Sequence, residues 1–92
     1  MMYPYITFDD GTEVVHSGII HGADDDKVVV HFERATANGF DSARCELPSY
    51  TWIDWEGQGA FSAQEKARFE EFLRNNAHLL FRYARNGGAQ VA

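Results

Sequence analysis

The stretch "SAQEKARFEEFLRNNAHLLFRYARNGG", residues 62–88, is where the spacing of apolar residues changes, and its reading decides the fold. Ser62 followed three residues later by Glu65 is a capping box, in which each side chain accepts a hydrogen bond from an otherwise unpaired backbone N–H. Beyond it Phe69, Phe72, Leu73, Ala77, Leu79, Leu80, Tyr83 and Ala84 fall on one side of a helix. Asn86-Gly87-Gly88 then supplies a left-handed stop. About six large side chains, at roughly 1.5–3 kcal/mol each, set an upper bound of about 10–15 kcal/mol for docking this helix on the rest of the chain.

Two residues disturb the stripe. Asn76 lies in its middle and Phe81 well outside it. Either the helix breaks near Asn75-Asn76, or Asn76 hydrogen-bonds something buried and Phe81 faces a partner. Because Ala77 to Arg85 holds no Gly or Pro, the spacing predicts a helix over 62–86 that is continuous or bent slightly near Asn75-Asn76.

Upstream of the helix the period is that of strands. Four segments, "YPYITF" (3–8), "TEVVHSGIIHG" (12–22), "KVVVHFER" (27–34) and "GFDSARCEL" (39–47), are short β-branched or aromatic runs. Their connections, "DDG", "ADDD" and "ATANG", are rich in residues that tolerate tight turns. Short connections join neighbours, so the expected architecture is α+β: a four-stranded antiparallel meander with one C-terminal helix packed on one face. No linker or repeat divides the chain, and a single domain over 1–92 is expected. It comprises the sheet (1–48), an aromatic connector (49–61), the helix (62–86) and a tail (87–92).

With 92 residues, 45% of them hydrophobic and 14% aromatic, the chain has enough apolar surface for one core without disulfides or a structural metal. Asp9, Asp10 and Glu13 interrupt its beginning, and no apolar run approaches the roughly 20 residues of a membrane span. A lone Cys45 makes no internal disulfide, so a reducing, cytoplasmic setting with no membrane partner is the expectation. The net charge of −6, with basic residues concentrated only at Arg68, Arg74, Arg82 and Arg85, speaks against nucleic acid as a partner.

Histidines carry the sharpest chemical question. If Phe8 pairs with Thr12 and Gly22 with Lys27, then His16 lies across from Glu33 with His31 on the diagonal. Two imidazoles and a carboxylate in that arrangement are candidate metal ligands or an acid–base pair. The competing interpretation is an ordinary cross-strand pair on a half-solvated face, and no HExxH or paired-Cys motif supports a metal or any other cofactor. His21 is expected at the exposed hairpin end, and His78 on the helix surface among arginines. Asp24 to Asp26 reads as a solvated turn, lacking the spacing of a calcium loop. Cys45, alternating with Ala43 and Leu47, is expected as an inert core thiol. In "PSYTWIDWEGQGAF", Tyr50, Trp52, Trp55 and Phe61 either stack on a ligand or partner or, more simply, plug the open end of the sheet–helix sandwich.

In that register both sheet faces carry large apolar residues, yet one helix covers one face. The expected function is therefore a small non-enzymatic protein-interaction domain, homodimerising through its second sheet face, with Tyr50, Trp52, Trp55 and Phe81 as candidate contacts. Two alternatives are an enzyme using His16, His31 and Glu33, and an acidic, antitoxin-like or inhibitor-like protein that masks a basic partner.

Overall fold

A computed structural model describes residues 2–37, 39–53 and 61–88. In chain order the elements are β1 (Met2–Thr7), β2 (Glu13–Ser17), β3 (Ile20–His21), β4 (Asp26–Thr36), β5 (Gly39–Leu47), β6 (Thr51–Trp52) and α1 (Ala63–Asn86). The sheet is antiparallel with order β1-β2-β4-β5-β6, and β3 adds a second pairing along β4. The expected meander and helix are present. The differences are a second strand divided into β2 and β3, and the extra strand β6 at the edge.

The division has a local cause. His16 pairs with Val30 and Ile20 with Lys27, so four residue steps on one strand face three on the other. This one-residue surplus is a β-bulge, and the backbone groups it displaces need other partners. Ser17 provides one: its hydroxyl oxygen accepts from the Val29 N–H at 3.0 Å and the hydroxyl itself donates to the Gly18 carbonyl at 2.7 Å. The first hairpin follows the sequence closely. The Phe8 N–H donates to the Thr12 carbonyl at 2.8 Å, and Gly11 takes the left-handed φ of 90° that the three-residue turn requires.

Alternation along the strands sends Val14, His16, Val28, Val30, Phe32, Ala43, Cys45 and Leu47 to one face, all buried. Helix α1 lies on it with Phe69, Leu73, Leu80 and Ala84 buried. The contact centres on Phe32 and Phe69, whose rings stack with centroids 4.3 Å apart and an interplanar angle of 8°. Phe8, Phe61, Phe72 and Trp52 surround the two rings.

The capping box at Ser62 and Glu65 is formed, and the helix runs unbroken to Asn86. Asn76 does not interrupt it because both ends of its amide are used: Nδ2 donates to the Phe72 carbonyl at 2.8 Å, and Oδ1 accepts from the Tyr5 hydroxyl at 2.7 Å. Phe81, expected outside the stripe, is half-buried against the core.

At the other end, the N–H groups of Gly87 and Gly88 both reach the Tyr83 carbonyl. Gly88 is buried, with φ 114°, and a Cβ there would stand 3.0 Å from Cδ1 of Tyr3. Gly39, with φ 143°, would meet nothing within 4 Å. Gly88→Ala therefore combines backbone strain with a clash, while Gly39→Ala has the strain alone. The expected cost is about 2–4 kcal/mol for the first and about 1–2 kcal/mol for the second, read from paired thermal melts; equal losses would show that the Tyr3 contact contributes nothing.

Candidate functional site

The bulge decides where the histidines go. Lys27 pairs with Ile20, two residues earlier than the Gly22 pairing expected from the sequence, and the bulge adds one more residue of offset. An offset of three is odd, so it moves one partner of every expected pair to the other face. His16 faces the helix, opposite Val30, whereas His31 and Glu33 lie on the outer face opposite Val15 and Glu13. The expected His16–His31–Glu33 grouping is thus not assembled. Among the described residues, no three His, Cys, Asp or Glu side chains come together in a way that could hold a metal ion.

His16 is fully buried between the rings of Tyr3 and Tyr5, at centroid distances of 5.7 and 6.2 Å. Its Nδ1 lies 2.8 Å from the Ser17 carbonyl, so Nδ1 carries a hydrogen and donates it, and Nε2 has no partner among the described residues. His21 is exposed and pairs with Asp26 at 3.0 Å. His78 is exposed on the helix.

The premise of an apolar second face is corrected as well. In the observed register the outer rows read Glu13–Glu33–Ser42, Val15–His31–Arg44 and Val29–Glu46–Thr51 across the strands, with Lys27 bridging to Glu46 at 3.5 Å. Val14 and Phe8 belong to the helix side.

In the connector, Tyr50 and Trp52 close the core at the β6 edge. The Trp52 indole N–H donates to Glu70 at 3.1 Å, and its ring contacts Phe32 and Phe69. Tyr50, at φ 58°, lies under the Arg74 guanidinium at 5.0 Å. Both rings are partly buried and pack against the core. Trp55 lies outside the described residues.

Two groups emerge that the sequence reading did not find. The first is Arg34, at an inward position of β4 where the strand passes the helix N-terminus. Its guanidinium donates to Glu65 and, at 3.2 Å, to Asp41; it lies 3.7 Å from Asp10 and stacks over Phe61 at 4.7 Å. One cation thereby joins the first hairpin, β5 and the cap of α1.

The second is a groove of about 480 Å³ between β1 and the first half of α1. Ile6, Phe8, Phe69 and Phe72 form its walls, and Asp10 and Arg68 stand at its rim. Helix α1 lies over β2 and β4, and near the end of β1 Ile6 is 47% exposed although its cross-strand partner Val14 is buried. The signal was present in the sequence as the alternation Ile6–Phe8, but the bulge at Tyr5, between the Pro4 and Ile6 pairings, turns Ile6 away from where simple alternation places it.

No protein-family model, curated protein or solved structure matches the chain.

The Thr12 N–H, and beyond it Arg34, hold the Asp10 carboxyl below the usual carboxylate range. Burial works to raise Glu65, but the Ser62 N–H and Arg34 outweigh it and hold it low. Groups lowered in the folded chain stabilise it fully above their unfolded values, near pH 4, and that stabilisation is lost as the pH falls through the folded values. Arg34→Ala, which leaves three carboxylates facing one another, is expected to cost about 1–3 kcal/mol at neutral pH, a figure reduced for partial exposure. It should also flatten the fall in stability between about pH 4 and 2; thermal melts across that range measure both.

Burial, with the Glu70 carboxylate adding to it, pushes the Cys45 thiol up to about 12. A thiol-specific reagent at about pH 8 should therefore leave the native chain unlabelled and react only on unfolding; labelling at the unfolded rate would place the thiol within reach of solvent.

Proposed function

We propose that this protein is a non-enzymatic interaction domain whose working surface is the groove between β1 and α1. The observation that carries the reading is the groove itself: three phenylalanine rings and a solvent-exposed Ile6 line a concave apolar site with a carboxylate and a guanidinium at its rim. Soluble proteins seldom leave concave apolar surface without a use, and a few polar groups around it are what fixes the orientation of a bound side chain.

The mode of binding follows from the edge beside the groove. Strand β1 is an edge strand, but Pro4 lacks an N–H and the bulge at Tyr5 breaks the regular row of donors and acceptors. Adding a partner strand there is disfavoured, which leaves side-chain insertion into the groove as the route. The occupant is an apolar, aromatic-sized side chain of a protein.

N-acetyl-phenylalaninamide is a direct probe of that site. Titrated into isotope-labelled protein, it is expected to shift amide resonances confined to Ile6–Asp10 and Arg68–Phe72, and Ile6→Arg should abolish those shifts while leaving the melting temperature within a few degrees. Shifts elsewhere, or none at millimolar probe, would remove the groove from consideration.

A further inference from the structure

We infer that the natural occupant of this groove is Phe40 of a second copy of the chain, so that two copies associate through reciprocal insertion. The inference rests on the reading of the groove as a binding surface and adds the identity of what fills it.

Phe40 is 77% exposed, more than any other large hydrophobic side chain described. It stands near the tip of the β4–β5 hairpin, paired with Ala35, and Thr36 pairs with Gly39 beyond it. This tip extends past the rest of the sheet: β2 reaches β4 only as far as the Glu13–Glu33 pair, while β4 and β5 continue for three further pairs. From Ala35 to Phe40 the sequence has no charged residue, so burying the tip desolvates no ion. A projecting aromatic side chain and an aromatic-lined groove on one molecule make its surface complementary to a copy of itself.

Charge supports the same pairing. Glu33 lies on the outer face of β4, the face that carries Phe40, and Glu13 sits directly across from it on β2. Like charges in cross-strand positions repel, and neither carboxylate has an ion pair or side-chain hydrogen bond among the described residues. At the groove rim Arg68 is exposed and has no ion pair within 4 Å among the described residues, its charge reaching only Asp10 at longer range. With Phe40 seated against Phe72 and Ile6 of the partner copy, the Glu13–Glu33 pair of one chain meets Arg68 of the other. The repelling carboxylates gain a counter-ion, and the guanidinium lies beside the inserted ring, where a cation is also favourable. Two-fold symmetry repeats each contact, closing the assembly at two copies. An interface built on two hairpin tips is small, so the dimer forms reversibly at micromolar concentrations or above.

Sedimentation velocity over about 10 µM to 1 mM tests this directly. The expected result is a concentration-dependent dimer that Phe40→Ser weakens about ten- to hundredfold. Because Phe40 is exposed, that variant should keep the parent's melting temperature. Arg68→Glu and Glu33→Arg should each weaken the dimer, and mixing the two variants should restore it in part. Mixing Phe40→Cys with Ile6→Cys chains under oxidising conditions should give a covalent dimer. A strict monomer at every concentration, or a dimer that Phe40→Ser leaves unchanged, overturns the proposal. The phenylalanine probe separates this from failure of the groove reading: a Phe40→Ser chain that still binds the probe at Ile6 and Phe72 keeps the groove as a binding surface, whereas loss of probe binding removes both.

Discussion

One hydrogen bond, from the Val29 N–H to the Ser17 hydroxyl oxygen, stabilises the extra residue on which the arrangement of this sheet depends. A bulge leaves a backbone donor without its ladder partner, and an unpaired N–H in a half-buried strand costs about 1–3 kcal/mol. Ser17 supplies the missing acceptor from the side chain nearest to it. With the bulge secured, β2 can place Val14 opposite Phe32 and His16 opposite Val30, both facing the helix. The centre of the core is then Phe32, positioned to receive Phe69.

Around that centre, charge is used where burial alone would leave the ends of the layers open. Arg34 sits where the first hairpin, β5 and the helix cap converge, and its three carboxylate partners come from three separate elements. Its ring contact with Phe61 connects the same cluster to the apolar core. On the opposite side Trp52, Glu70 and Lys66 perform the corresponding closure at β6. Among the described residues, Arg68 on the helix and the opposed Glu13 and Glu33 on the sheet are charges that face outward with no ion pair within 4 Å. An acidic protein with this distribution is not uniformly repulsive toward its own kind, because its net charge and its local charges point in different directions.

How much of this was legible in the sequence divides along a physical line. The helix was readable at both ends, because Ser62, Glu65, Gly87 and Gly88 act through local hydrogen bonds within a few residues. The strands were readable as elements from their β-branched and aromatic runs, and the first hairpin from Gly11. Register was not readable beyond that turn. The second hairpin has a loop whose length Asp24, Asp25 and Asp26 leave open, and the bulge at Ser17 has no signature apart from a Ser-Gly pair inside an apolar run. Each error was small in residues and large in consequence, since an odd offset exchanges the two faces. That is why His16, His31 and Glu33 resembled a site in one dimension and are separated by a sheet in three. Arg34 was passed over for a related reason: its three partners lie 7 to 31 residues away in sequence, and no local pattern announces them.

The contact of Tyr3 with Gly88 gives the chain a closed outline. The first strand and the last turn of the helix meet at one point, so Tyr3 and Gly88, close to the two limits of the described residues, lie on the same side of the molecule. The groove lies near Phe69 and Phe72, some 16 residues earlier on the helix, or about 24 Å along its axis. A linker joining residues near Tyr3 and Gly88 would therefore make a circularly permuted chain geometrically straightforward. Opened in the exposed Gly22–Asp26 turn, such a permutant would retain the core layers and the groove while exchanging which hairpin must close first.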